Sequence, residues 1–170
     1  MDIERLDAIQ ARSAVPLLVD LLHDALDDGA CLGFLPPITG EEARSYWQGV
    51  VTALQGQSRL LFVAWTGDQI VGTVQIDLAL KPNARHRAEL TTLVVHRSAR
   101  RQGIGRALMA AAEEAARERG RTLLVLDVRR GDASEYLCQD CGYTTFGVVP
   151  NYTLDSDGTF RDAVFFYRQL

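Results

Sequence analysis

Apolar residues along the chain change their period several times, and each change predicts an element. Ile3–Ala8 reads as a short strand. From Ser13 to Ala30, the residues Val15, Leu18, Leu21, Leu22, Ala25 and Leu26 fall at helical spacing. Gly33, Pro36 and Pro37 make Cys31–Thr39 a loop. Gly40–Leu54 is then a second helix, with Glu41 and Glu42 near its positive end and Trp47 and Val51 on one stripe. Arg59–Trp65 and Ile70–Leu80 are β-branched runs divided by Thr66-Gly67-Asp68-Gln69, a hairpin pattern. The second run alternates Val71, Thr73 and Gln75 against Gly72, Val74 and Ile76, as an antiparallel strand does. Glu89–Val95 is a further strand.

Ile104, Ala107, Leu108, Ala111, Ala112 and Ala115 form a clear amphipathic stripe, closed by Gly120. Thr122–Val128 is nearly all apolar, as expected of a parallel strand covered on both faces. A short helix over Ala133–Cys141 ends at Gly142. Tyr143–Val149 and Arg161–Arg168 complete the strands, and a loop from Val149 to Asp157 lies between them. A helix joining two neighbouring parallel strands in a mainly antiparallel sheet makes an α/β sandwich with one crossover. No repeat or linker interrupts the chain, so residues 1–170 read as a single domain.

Composition narrows the classes of function. The net charge of −4 offers no basic field for nucleic acid or an anionic membrane. No apolar run approaches the roughly 20 residues of a membrane span, and Met1-Asp2-Ile3-Glu4-Arg5 has no signal-peptide character. A cytoplasmic protein is expected. Cys138 and Cys141 have CxxC spacing, but Cys31 and the three histidines supply no second ligand pair, so no metal is expected.

The candidate chemistry lies in Arg100-Arg101-Gln102-Gly103-Ile104-Gly105-Arg106, between a strand and a helix. Such a junction aims unpaired backbone N–H groups and the positive end of a helix at one point. Gly103 and Gly105 let an anion approach the backbone, and the arginines add bidentate phosphate donors. A Walker loop would need Gly-Lys-Ser/Thr, and the only lysine is Lys81. A dinucleotide fingerprint would need a small residue where Leu108 stands.

The pattern Arg100-x-x-Gly103-x-Gly105 resembles the pyrophosphate motif of the GNAT (GCN5-related) N-acetyltransferases. Leu93–Met109 looks like motif A of that family and Leu123–Tyr143 like its motif B. The stretches from Asn83 to Glu89, Leu126 to Asp132 and Val149 to Tyr152 are similar to bacterial tabtoxin-resistance-type acetyltransferases. The resemblance implies a GNAT fold, α/β with a mixed, mainly antiparallel central sheet, a splayed parallel strand pair and flanking helices. It implies acetyl-CoA as cosubstrate, held by the backbone of Leu93, Val94 and Val95 and by residues Arg100 to Arg106, Gln102 and Ile104 included. Members of the family are commonly dimers.

For catalysis the resemblance points to Glu89 as general base. Its usual tyrosine acid, four residues before the motif B glycine, is replaced here by Cys138. Asp132 and Tyr143 match an acidic and an aromatic residue proposed as active in the tabtoxin-resistance group, and Tyr143 is a better spare than Tyr136, which helical spacing turns the other way. Trp47, Asp127 and Tyr152 are candidates for the acceptor site. The expected reaction is direct acetyl transfer to the primary amine of a small molecule, an amino-acid-like toxin or antibiotic among the candidates. A protein N-terminus or lysine as acceptor, and an acyl-CoA-binding module without catalysis, are the rival readings.

Overall fold

The computed structural model describes residues 1–170. Its elements are β1 (Asp2–Leu6), α1 (Ala8–Asp27), α2 (Gly40–Gln55), β2 (Arg59–Thr66), β3 (Gln69–Leu78), β4 (Arg87–Val95), α3 (Ile104–Glu118), β5 (Leu123–Arg129), α4 (Ala133–Asp140), β6 (Thr144–Leu154) and β7 (Phe160–Gln169). One seven-stranded sheet has the order β1-β2-β3-β4-β5-β7-β6. Its only parallel pair is β4–β5, crossed over by α3, and the other pairs are antiparallel. No helix is long and apolar enough to cross a membrane.

The elements fall where the apolar periods put them, and two boundaries move for identifiable reasons. α1 starts at Ala8 because Asp7 caps it: its Oδ1 accepts from the N–H groups of Ile9 and Gln10 at 2.8 Å each, and Gln10 Oε1 accepts from Asp7 N–H at 2.8 Å. This reciprocal box nucleates the helix ahead of its apolar stripe. The expected Val149–Asp157 loop is mostly strand. β6 runs on to Leu154 through a bulge between Val149 and Thr153, where Pro150 has no N–H to pair and Asn151 takes φ 54°. The connection to β7 is a short turn, with Asp155 N–H on Thr159 O and Gly158 N–H on Asp155 O, both 2.9 Å.

The sheet separates two cores. One lies under α3 and α4 and includes Leu90, Leu108, Met109, Leu124, Leu126 and Phe166. The other lies under α1 and α2 and includes Leu18, Leu22, Trp47, Leu61 and Val63. Neither helix of the second core reaches over β5, β7 and β6. There the strand face carries Phe146, Tyr152, Phe165 and Tyr167 in mutual contact, with ring centroids 5.1–6.1 Å apart.

Candidate active site

β4 and β5 pair only at Arg87–Leu123, Ala88–Leu124 and Glu89–Val125. Beyond Glu89 the two strands part. β4 is still held on its other side by β3, through Thr91–Gln75, Val94–Thr73 and Val95–Gly72. In the middle of this stretch Thr92 takes φ 49°, a bulge that reorients the strand. The edge of Thr91–Val95 that faces the fork is therefore a row of backbone groups without strand partners.

The fork opens onto the arginine-glycine loop. None of the backbone N–H groups of residues 101–106 donates to a backbone carbonyl, and the first intrahelical bond is Ala107 N–H to Gly103 O at 3.0 Å. Gly103 has φ 81°, and a Cβ there would meet nothing within 4 Å, so the space above the loop is open. Gly105 is glycine for a different reason. A Cβ would stand 2.9 Å from Leu137 Cδ2, where α4 closes on the loop. Arg101 and Arg106 are exposed, with Arg106 held by Asp140 alone, through its carbonyl at 3.2 Å and its carboxylate at 3.7 Å. Arg100 is committed elsewhere: it pairs with Asp28, and its Nε donates to Val95 O at 3.2 Å. Arg97 and His96 tie the same loop to Asp24. The α1 end thus sets the loop's position, and Arg101, Arg106 and the free N–H groups remain to meet an anion. Leu93, Val94, Val95, Arg100, Arg101, Gly103, Ile104, Gly105 and Arg106 line one cavity of about 590 Å³. This donor set suits a diphosphate with an extended arm laid in the fork.

A second cavity, about 730 Å³, lies between the Cys31–Pro37 stretch, the end of β5 and the β6–β7 turn. Its walls mix Arg129, Arg130 and Arg161 with Asp27, Asp132, Asp155 and Asp157. Phe34 lines it and packs edge-on against Tyr46, centroids 5.2 Å apart. The Tyr46 hydroxyl is 2.9 Å from Thr92 Oγ1 at the bulge and accepts from Gln75 Nε2 at 2.9 Å. The cavity wall is in this way fastened to the fork.

Glu89 and Asp127 stand on one face of the sheet at the base of the fork, in register with Val125 and Phe165. Both residues are exposed as a whole, their carboxyls are partly shielded from water, and neither lines either cavity. Loss of solvent raises the Glu89 pKa above the usual carboxylate range, and the negative charges of Asp127 and Asp77 add to the effect. Arg87 and Arg59 offset only part of it. Loss of solvent raises Asp127 as well.

The proposed acid positions lie elsewhere. Cys138 and Tyr143 point into the core under α3, at 1% and 5% exposure, and line neither cavity. Burial pushes the Cys138 thiol up to about 12. Burial, and then the Glu113 carboxylate, push the Tyr143 hydroxyl far above the ordinary tyrosine range. Trp47 is likewise core, 1% exposed, with its indole N–H unpaired. Tyr136 behaves opposite to expectation. It is 63% exposed and lines the loop cavity with Leu137 and Asp140. Helical spacing does turn it away from Cys138, but Cys138 is the residue that faces inward. Asp132 lines both cavities and is bound by Arg129, and Tyr152 leans on Phe165 at 5.1 Å, outside both. The sequence offered no sign of Phe34, which sits in an irregular loop, and it marked Arg129 only as part of the Leu126–Asp132 stretch, with no role. No group of three or more His, Cys, Asp or Glu side chains gathers as a metal site, and all three cysteines are free.

Residues 32–143 match the Acetyltransferase (GNAT) family. The chain belongs to that family. An uncharacterised N-acetyltransferase from the hisH–hisA intergenic region of Azospirillum brasilense is 35% identical over 129 residues, 75% of this chain and 74% of its own length. Among solved structures, the ribosomal-protein-alanine N-acetyltransferase of Brucella melitensis superposes over 100% of both chains, with TM-score 0.82 and 23% identity. The acetyltransferase yncA of Salmonella typhimurium, solved with its cofactor acetyl-CoA, covers 100% of this chain and 94% of its own, with TM-score 0.79 and 18% identity. The seven-stranded sheet with its one splayed parallel pair is the GNAT fold, and the chain is a GNAT acetyltransferase.

Proposed function

We propose that this GNAT enzyme transfers the acetyl group of acetyl-CoA directly to the primary amine of a small, amino-acid-like molecule. The observation that carries the reading is one junction. A cradle of free N–H groups and arginines and a fork of unpaired strand edge adjoin a second cavity of about 730 Å³, and a carboxylate of raised pKa, Glu89, stands at the base of the fork. Arg101, Arg106 and the N–H groups of residues 101–106 hold the diphosphate, Gln102 and Ile104 contributing through the backbone. The edge from Leu93 to Val95 pairs with the pantetheine arm, and one of its N–H groups polarises the thioester carbonyl. Glu89 takes the amine proton through water, helped by a pKa nearer neutrality. Asp127 steers the ammonium toward Glu89, and Tyr152 with Phe165 forms an apolar flank. Mixed guanidinium and carboxylate walls suit an acceptor that carries charges of both signs.

Proton delivery to the departing thiolate is assigned to solvent in the open groove. Cys138 and Tyr143 are sealed in the core with their protons held tightly, so neither is a competent acid. Asp132 acts through Arg129 rather than on the reacting atoms. The exposed, uncharged edge of β6 supports a homodimer.

The test is a screen of acetyl-CoA turnover against α-amino acids, alkyl diamines and short peptides with free N-termini. Turnover is expected with amino acids or other small amines. Turnover confined to peptides would transfer the reading to a protein acceptor. Tight coenzyme A binding without turnover of any amine would make the chain a binding module.

A further inference from the structure

Gly29, Ala30, Arg129 and Asp132 line both cavities and so form the wall between them. Arg129 holds that wall together. Its Nε donates to Asp132 Oδ1 and Oδ2 at 3.0 and 3.1 Å, its Nη1 to Asp155 Oδ1 at 3.1 Å, and its Nη2 to Gly29 O at 2.9 Å. The partners come from three separate pieces of chain: the cap of α4, the β6–β7 turn and the segment after α1. Asp155 is fixed in turn by Arg161 Nε at 2.7 Å. The Arg129 side chain is only 20% exposed, so the bonds are shielded from water as surface pairs are not.

We propose that Arg129 is a positioning residue for acetyl transfer: it braces the acceptor cavity, formed by the α1–α2 connection and the β6–β7 turn, against the coenzyme groove. The proposal rests on the transfer reading given above. Arg129 closes the end of β5, two residues beyond Asp127, so the brace is anchored on the strand that forms one side of the fork. A guanidinium can serve three acceptors in three directions from one plane, whereas an ammonium on a flexible stem cannot hold them in register. Without the brace, the turn and the α1–α2 connection lose their shared anchor, and an amine bound between them no longer meets the thioester at a fixed distance. Misplacement of that kind is costly, since near-attack geometry alone carries large factors in rate.

Hydrogen–deuterium exchange and kinetics on Arg129→Gln, Arg129→Lys and Asp155→Asn test this. Exchange is expected to rise at residues 29–37 and 155–161 in Arg129→Gln, with the loop 100–106 unchanged and the coenzyme A dissociation constant within about threefold of wild type. With the amine that is turned over fastest in the screen, kcat/KM should fall by about 10–100-fold, carried mainly by the acceptor KM. Arg129→Lys should not restore it. The double variant Arg129→Gln/Asp155→Asn should lose less than the two single losses multiplied, since the two residues share one contact. Unchanged exchange at residues 155–161 would overturn the brace, whether or not any amine is acetylated. So would a parallel loss of coenzyme A affinity, which would make Arg129 a coenzyme ligand. If no amine is acetylated while the exchange pattern is as expected, the brace stands and the transfer reading is what fails.

Discussion

Glu89 carries a conflict between stability and chemistry, and the two can be measured separately. Its pKa is raised first by loss of solvent and then by Asp127 and Asp77, so the folded state prefers it protonated. For a group whose folded pKa lies above its unfolded value, the contribution to stability is present below the unfolded pKa and is lost as pH rises through the folded one. Glu89→Gln, which mimics the neutral form, is therefore expected to unfold at higher temperature than wild type at pH 7–8. The gap should vanish below about pH 4, near the unperturbed pKa of glutamate. The same substitution should lower kcat by about 100-fold and abolish an acid limb of the pH–rate profile lying above the ordinary carboxylate range. A variant equally stable at both pH values, or equally active, would remove Glu89 from this role. Cys138 gives the opposite expectation. Sealed in the core with its thiol pushed up to about 12, it should be replaceable by alanine with kcat within about threefold of wild type, the cost falling on stability through the small cavity left behind. Glu89 was named through the resemblance of its strand to motif A, which a short stretch of sequence is enough to carry. Sequence reading misjudged α4, because over eight residues the choice of inward face depends on what packs above the helix. Leu137 of α4 closes over Gly105, where there is no room for a Cβ, and that packing is invisible along the chain.

At the scale of elements, the arginine-glycine loop was legible in outline, since two glycines inside a first helical turn are costly unless something needs them. The division of labour among its arginines was not. Arg100 and Arg97 neutralise the acidic end of α1 at Asp28 and Asp24, carboxylates that sit unfavourably at a helix C-terminus. That pairing joins segments some seventy residues apart in sequence, which no local pattern encodes. Two variants separate the roles. Arg101→Ala should weaken coenzyme A binding by about tenfold, the scale of one charge-assisted hydrogen bond, and leave binding of pantetheine unchanged. Arg100→Ala should instead lower the melting temperature and affect the coenzyme less. Equal losses of coenzyme affinity in both would contradict the pairing of Arg100 with Asp28. Gly103→Ala isolates the backbone. With φ 81° and nothing within 4 Å of the added methyl, its cost is conformational, about 1–2 kcal/mol, or a fall of about 2–8 °C in melting temperature by differential scanning calorimetry.

For the whole molecule, the sheet's two edges are treated differently. β1 opens one side with Asp2, Glu4 and Arg5, charges that discourage further strand pairing. β6 closes the other with eleven residues, Thr144–Leu154, and not one is charged. It pairs only with β7, and Phe146, Val148, Val149, Tyr152 and Leu154 are all exposed along it. A long, uncharged edge is a template for another strand, and in a chain with 24% charged residues the surface that matches it without stranding a charge is the same edge on a second copy. Antiparallel pairing of β6 with itself satisfies a two-fold axis. The pairing would be confined to Thr144–Val149, because Pro150 and the bulge at Asn151 interrupt the ladder beyond it. That confinement also leaves the turn at Asp155, and the cavity it walls, free to work in each copy. Wild-type protein is therefore expected to sediment as a dimer and Val148→Lys as a monomer, with coenzyme A affinity unchanged because the groove lies on the far side of β5. A wild type that is monomeric at every concentration, or a Val148→Lys variant that stays dimeric, would place the contact elsewhere.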